Sequence, residues 1–148
     1  MKLLVLASFC LFTFSLTQPL PCKADSWYSY YEGYKYTVDL SSEQVQKAPE
    51  WLPSEDNPPL PARKALKAAT DILYQLLPDA AKWTLRSISL EPVCGHTGWA
   101  YVITFYSYFH APPGYRGGFS GYLPPMTLCV LMDGKAIEPV VTKDTKDK

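Results

Sequence analysis

The chain has 148 residues, enough for one domain, and its 14 basic and 14 acidic residues give a formal net charge of zero. The one basic cluster, formed by Arg63, Lys64 and Lys67, is too small to give the concentrated positive surface that nucleic acid requires, so nucleic acid is excluded as a partner. Eleven Tyr, four Trp and six Phe make 14% of the chain aromatic, which favours a binding surface built on rings.

The N-terminus has the pattern of a secretory signal peptide. Lys2 supplies a positive start, the run from Leu3 to Leu16 is almost wholly apolar, and small residues precede Asp25. The apolar run is shorter than the ~20 residues that a membrane-spanning helix needs. We therefore expect cleavage before Asp25. The alternatives are cleavage after Thr17 and retention of the apolar run as an anchor.

This pattern divides the chain into a signal peptide, residues 1–24, a single domain, residues 25–142, and a disordered tail, residues 143–148. It also predicts an extracytoplasmic location, secreted or periplasmic, with no membrane span in the mature form. A lipid anchor at Cys22 is not expected, since Pro21 stands where such an anchor needs a small residue.

Two cysteines, Cys94 and Cys129, follow the proposed cleavage site. Export makes a disulfide between them chemically possible. The strict geometry of that bond leaves two unpaired thiols as the other interpretation. The sequence leaves both open.

The first strong element is a strand. A clean alternation from Tyr34 to Leu40 predicts one buried face, made of Tyr34, Tyr36, Val38 and Leu40. Four prolines between Ser41 and Leu60 limit that stretch to a surface connection, with a short helical turn capped from Ser41. Trp51 and Leu52 are expected to attach the connection to the body of the domain.

The strongest helix prediction covers Pro61 to Leu77. Pro61 suits the first helical turn, and Pro78 ends the helix. One face carries an apolar stripe that consists of Ala65, Leu66, Ala69, Ile72, Leu73, Leu76 and Leu77. We expect this stripe to form the core of the domain.

Two strands are predicted after the helix. The alternation from Trp83 to Leu90 changes phase, and a bulge near Arg86 and Ser87 would turn all of its large apolar side chains inward, namely those of Trp83, Leu85, Ile88 and Leu90. The run from Trp99 to Phe109 alternates without a break and predicts a second, longer strand.

A hairpin is predicted at the C-terminal end of the domain. Asp133-Gly134 lies between two strand-like runs, Met126–Met132 and Lys135–Thr142, and is a strong hairpin signal. Its register predicts two cross-strand pairs, Val130 with Ile137 and Met126 with Val141. Pro139 should place the last strand at a sheet edge.

Together these elements predict an α+β fold in which one main helix packs on a curved antiparallel sheet of four to five strands. The order of helix, strands and closing hairpin between Ala62 and Val141 resembles PepSY-like and cystatin-like modules, through the segments A-R-K-A-L-K-A-A, W-T-L-R-S-I-S-L, W-A-Y-V-I-T-F-Y and V-L-M-D-G-K-A-I-E-P. The resemblance implies protease inhibition. The chain departs from cystatins at Cys94 to Gly98, which is no Gln-x-Val-x-Gly hairpin, and from PepSY modules in the strand before the helix.

No catalytic, metal or cofactor site is predicted. His96 and His110 bracket one predicted strand and would lie roughly 40 Å apart along it, too far to share a metal. The Gly118–Gly121 stretch is followed by Tyr122 where a nucleophile elbow needs Gly, and the carboxylates are scattered. We therefore expect a protein that is not an enzyme, with a small hydrolase as the least favoured alternative.

The candidate binding surface is the loop from Tyr106 to Tyr122, in the Gly- and Pro-rich stretch between Ser107 and Pro125. Its rings alternate with Gly and Pro, which suits recognition because Tyr gives a large contact area at low entropic cost. The candidate ligand-binding residues are Tyr106, Tyr108, Phe109, His110, Tyr115, Arg116, Phe119 and Tyr122. In the alternative interpretation, these rings pack over the sheet alongside Trp27 and Tyr30. The predicted function is an exported, small, non-catalytic binding or interaction domain for an unknown protein or small ligand, with a cystatin-like protease inhibitor as the alternative.

Overall fold

Two antiparallel sheets and two α-helices make up the part of the chain that the computed structural model describes, which is residues 26–93, 98–109 and 121–144. The strands are β1 (Ser26–Tyr31), β2 (Tyr34–Asp39), β3 (Trp83–Pro92), β4 (Trp99–Phe109), β5 (Gly121–Tyr122), β6 (Met126–Leu131) and β7 (Val140–Lys143). The helices are α1 (Ser42–Lys47) and α2 (Ala62–Leu76), and one turn of 3-10 helix covers Ala80–Lys82.

The two sheets have separate strand orders. The first sheet has the order β1-β2-β7. In the second sheet β4 is central, with β3 along one edge and with β6 and the two-residue β5 along the other. The predicted α+β class with antiparallel strands is confirmed. The prediction of one curved sheet of four to five strands is wrong. The last strand, β7, does not pair with β6 across the C-terminal turn but with β2 of the first sheet.

The C-terminal turn forms as predicted, and the pairing across it extends to Ile137, whose N–H donates to the carbonyl of Cys129 at 2.8 Å. Gly134 has a φ of +88°, and its N–H donates to the carbonyl of Leu131 at 2.9 Å. Val130 then bridges to Ala136 and not to Ile137.

The second predicted pair of this hairpin is also wrong. Val141 lies opposite Tyr36 of the first sheet and not opposite Met126. Pro139 has no N–H to donate and separates the turn from β7, which is the edge strand that Pro139 predicted.

Both helices follow from local sequence signals. Ser41 caps α1 through a capping box, in which its side chain accepts from the N–H of Gln44 and the Gln44 side chain accepts from the N–H of Ser41. We expected Pro61 in the first helical turn. It is the N-cap residue of α2 and lies directly before that turn. Ala65, Ala69 and Leu73 of α2 are at most 1% exposed, and α2 packs on β6 and β4. Burial of a Leu such as Leu73 contributes about 1.5–3 kcal/mol.

The bulge predicted in β3 is present. The register of β3 on β4 shifts between Leu85 and Ser87. The shift does not turn every apolar side chain inward, since Trp83 is buried while Leu85 is 37% exposed. Trp83 is held by the edge of the Tyr31 ring, which stands at 84° to it with 5.3 Å between centroids.

The long connection after α1 is attached through one of the two residues expected. Trp51 packs edge-on against Trp99 of β4, with 5.1 Å between ring centroids. Leu52 is 58% exposed, so its predicted role in attachment is wrong. Leu60, at the end of the connection, is buried, and its carbonyl accepts a hydrogen bond from the Tyr101 hydroxyl at 2.9 Å.

Two buried side chains lie in the interior, one where the two sheets meet and one within β6. The buried hydroxyl of Ser29 in β1 accepts from the N–H of Thr127 in β6 at 2.9 Å, which links the two sheets. Cys129 of β6 is a free thiol with no exposed surface. Burial chiefly, and then the charge of Glu91, raises the pKa of Cys129 to about 12. Cys94 lies outside the described residues.

Candidate functional site

The structure describes four of the eight predicted binding residues, and all four lie in β4 or β5. Tyr106 and Tyr108 lie two positions apart in β4, half-buried and 43% exposed respectively. In the ladder between β4 and β5, Tyr108 pairs with Tyr122 and Phe109 pairs with Gly121. The other four predicted residues lie outside the described residues: His110, Tyr115, Arg116 and Phe119. Residues 110–120 thus stand between β4 and β5 in the sequence, and these two strands pair with each other.

A surface pocket of about 380 Å³ lies beside the base of that connection, and we call it the turn pocket. One wall is the turn between β1 and β2, and the other comes from the residues directly after β5. Its lining consists of Tyr30, Tyr31, Glu32, Gly33, Tyr34, Leu123, Pro124 and Asp144. Residues from three distant parts of the chain thus meet here.

Backbone hydrogen bonds hold the walls of the turn pocket in place. The N–H of Leu123 donates to the carbonyl of Ser107 at 2.9 Å, which fixes the chain after β5 to β4. The N–H of Asp144 donates to the carbonyl of Gly33 at 2.7 Å, which extends the pairing of β7 with β2 to the turn. The pocket is therefore built on paired strands, a rigid support for recognition.

The turn itself has an unusual first residue. Glu32 and Gly33 have φ values of +48° and +74°, the pattern of a two-residue type I′ turn. This turn matches the twist of the strands but favours Asn, Asp or Gly at both positions. A residue with a long side chain in the left-handed region costs about 1–2 kcal/mol, and Glu32 occupies it.

Two carboxylates act on the tyrosine beneath the turn. The Tyr31 hydroxyl donates to Oδ2 of Asp79 at 2.9 Å. Burial chiefly, then Asp79 and then Glu32, raise the pKa of Tyr31 well above its ordinary value. Burial followed by the charges of Glu32 and Tyr34 also raises the pKa of Tyr36. These tyrosines stay protonated at neutral pH and act as hydrogen-bonding groups, not as bases.

Two acidic residues, Glu32 and Asp144, line the turn pocket, and among the described residues no Lys, Arg or His lines it with them. Lys143 lies opposite Tyr34 in the register of β2 with β7 but does not line the pocket. With exposed ring surface from Tyr30 and Tyr34, the pocket can contact a ligand through aromatic faces and through carboxylate oxygens.

Sequence reasoning missed most of this pocket. Tyr30 was considered only as a packing partner, yet it is 41% exposed. Tyr34 was expected on the buried face, and it is 45% exposed because it directly follows the turn. The dipeptide Glu32-Gly33 between two Tyr-rich runs is the signal that indicates the hairpin.

Two other depressions have mixed charge. They measure about 470 and 510 Å³, share Gln44 and Lys135, and run between α1 and the residues after β6. Lys47 and Lys135 lie there together with Glu43 and other acidic residues, and Nζ of Lys47 forms a salt bridge with Oε1 of Glu43 at 2.6 Å. Neither depression offers a charge of one sign to a ligand.

Within the described ranges, no group of three or more His, Cys, Asp or Glu residues is placed to hold a metal ion. Among the same residues, no helix has the length and apolar character needed to cross a membrane. The chain matches no protein-family model, no curated protein and no solved structure. The resemblance to PepSY-like and cystatin-like modules therefore stays a prediction.

Proposed function

We propose that this chain is an exported, non-catalytic binding domain that captures its partner at the turn pocket and the adjoining aromatic segment 106–122. The observation that carries the proposal is the position of the pocket. Its wall at Leu123 and Pro124 begins directly after β5, where the Tyr, Gly and Pro-rich segment ends. The turn pocket thus adjoins the C-terminal end of this segment at β5.

The side chains at this surface favour binding of a partner. Tyr30, Tyr34 and Tyr108 expose between 41% and 45% of their surface, and all three lie on paired strands. A Tyr whose backbone is already fixed loses few torsional freedoms on binding, so its contact area is converted into affinity at low cost.

Export is supported by the N-terminal pattern. A positive residue, a short apolar run and small residues precede Asp25. The first strand begins at Ser26, immediately after the proposed cleavage site, so cleavage there leaves the described domain intact.

Site-specific photo-crosslinking tests the proposal. The full chain carries p-benzoyl-phenylalanine in place of Tyr34, and a matched control carries it in place of Tyr74, which is 60% exposed on α2. Each form is expressed in its own host and irradiated, and crosslinked partners are identified by mass spectrometry. We expect a specific adduct from position 34 that is absent from position 74. The same adducts from both positions, or none from position 34, would contradict the proposal.

A further inference from the structure

We propose that β7 is a self-association site, at which the edge strands of two copies of this chain pair in antiparallel fashion about a two-fold axis. All four residues of β7 are exposed, and none of them lines the turn pocket. The inference therefore goes beyond the proposed function and concerns a different surface.

The main chain of β7 points alternately toward β2 and away from it. The N–H of Asp144 donates to the carbonyl of Gly33 at 2.7 Å, next to the register that places Thr142 opposite Lys35. In an antiparallel ladder, every second residue turns both its N–H and its C=O toward the same neighbour. Val140 and Thr142 therefore face β2 as Asp144 does, and the residues between them face the other way.

Val141 and Lys143 thus direct their N–H and C=O groups along the outer edge of β7. Among the described strands, none pairs with this edge. The first sheet ends here with a row of main-chain donors and acceptors, which is a template for another strand.

The side chains of β7 leave this edge open. Val140 is 59% exposed and Val141 is 44% exposed, although neighbours in a strand point to opposite faces. Edges that stay free usually carry charged side chains. β7 carries a charge only at its last residue, Lys143, and Pro139 precedes its first, so these two residues bound a short apolar edge.

A second copy is the occupant because the edge is complementary to itself. Pairing about Val141 lets its N–H and C=O bond to the same groups of the partner's Val141. The N–H of Lys143 then reaches the carbonyl of the partner's Pro139, a residue with no N–H of its own to satisfy. Val140 lies opposite the partner's Thr142, and the two Lys143 side chains stand at opposite ends of the paired strands.

This dimer should be weak and reversible. A strand of four residues buries less than the ~1,200 Å² of a stable interface. Beyond the strand, the same pairing brings Glu138 opposite the partner's Asp144, where like charges repel.

Sedimentation velocity of the purified mature chain, over rising protein concentration at constant ionic strength, measures self-association. We expect a monomer–dimer equilibrium. In the ¹⁵N-labelled chain, the amides of Val141 and Lys143 should exchange hydrogen more slowly as the dimer forms, whereas those of Val140 and Thr142, which face β2, should not change. A monomer at every concentration, or a dimer without this protection, would overturn the inference.

Substitutions at the axis test the same contact. Val141→Lys sets like charges opposite each other and should raise the dissociation constant of the dimer at least about tenfold. Val141→Pro removes an outward N–H but no bond to β2, so it should weaken the dimer in a chain that circular dichroism shows to be folded. The matched control, Tyr74→Lys, makes the charge change of Val141→Lys at a 60% exposed position of α2 and should leave the dimer unchanged. An equal loss in the control, or no loss in either variant of Val141, would contradict the pairing.

Engineered cysteines test the register. In a Cys94→Ser background, Val140→Cys and Thr142→Cys together place facing thiols on the two copies, with about 4.5 Å between Cα atoms, a separation that a disulfide accepts. Mild oxidation should link dimers of the double variant and of neither single variant. Linking by a single variant, or none by the double variant, would overturn the register.

The chain is measured alone, so a failure here leaves capture at the turn pocket standing, and a failed crosslink at position 34 leaves self-pairing standing. A monomer whose Val141 and Lys143 amides are protected only by a crosslinked partner would assign the edge to another protein and overturn self-pairing.

Discussion

Gly98 lies against the Val45 side chain, and there is no room between them for another carbon. A Cβ built on Gly98 would lie far inside the closest approach that real Cβ atoms make to Cγ1 of Val45. Gly98 precedes β4, and its carbonyl accepts from the N–H of Val93 at 3.0 Å. The absence of a side chain at Gly98 thus lets α1 sit directly on the second sheet.

We therefore predict that Gly98→Ala destabilises the domain by about 1–3 kcal/mol, because Val45 or the backbone must move to admit the new methyl group. Urea denaturation monitored by Trp fluorescence measures the change. The control is the same substitution in a Val45→Ala background, which lacks the Cγ1 atom that the new group would meet. Gly98→Ala should cost much less there, and an equal cost in both backgrounds would show that the contact is not the cause.

The second prediction concerns the link between the sheets. Ser29→Ala removes the acceptor of the Thr127 N–H in a buried place, and we expect a loss of about 1–3 kcal/mol because that donor is left without a partner. Ser26→Ala on the same strand is the matched control, since its hydroxyl bonds to Asp39 at an exposed position. The control should change stability by less than about 0.5 kcal/mol. Equal effects in urea denaturation would show that Ser29 does not join the sheets.

The sequence predicted those parts of the fold that depend on near neighbours. The capping box between Ser41 and Gln44, the apolar stripe of α2 and the turn at Gly134 each involve residues within a few positions of one another. The bulge in β3 was found for the same reason, since its signal is a change of phase along one strand.

The sequence did not predict the features that depend on distant partners. Pro139 indicated that the last strand lies at an edge, but local pattern does not specify whether that edge belongs to β6 or to β2. The alternation of residues places Tyr34 on the buried face of its strand. It is exposed because it lies at the end of that strand, directly after the turn. The turn pocket depends on Leu123 and Asp144 reaching the first hairpin, which no periodicity shows.

The third prediction is a loss of stability at high pH from Cys129. Burial raises the pKa of this thiol from 9.0 to about 12. The folded state therefore holds the proton more tightly than the unfolded state, so the stability it contributes is complete below pH 9 and is lost as the pH rises toward 12. Across that window one such group lowers the free energy of unfolding by up to about 1.4 kcal/mol per pH unit.

Urea denaturation at pH 8, 9, 10 and 11 measures this slope. Cys129→Ala is less stable at every pH because it leaves a cavity, but its stability should fall less steeply above pH 9 than that of the unmodified chain. Parallel curves for the two proteins would show that Cys129 does not couple to pH. The same burial predicts that a thiol reagent modifies Cys129 only at the rate at which the domain opens.

The fourth prediction concerns the backbone strain at Glu32. Glu32→Asn keeps the left-handed conformation and replaces a residue that tolerates it poorly with one that tolerates it well, so we expect a gain of about 0.5–1 kcal/mol in the free energy of unfolding. The Glu32 side chain is exposed, so losing its attraction for the Tyr31 hydroxyl should cost less than the relief of strain gains.

The control is Glu138→Asn, at an exposed position outside the turn, and it should change stability by less than about 0.5 kcal/mol. A loss of stability in Glu32→Asn would mean that the contact with Tyr31 outweighs the strain of the left-handed conformation.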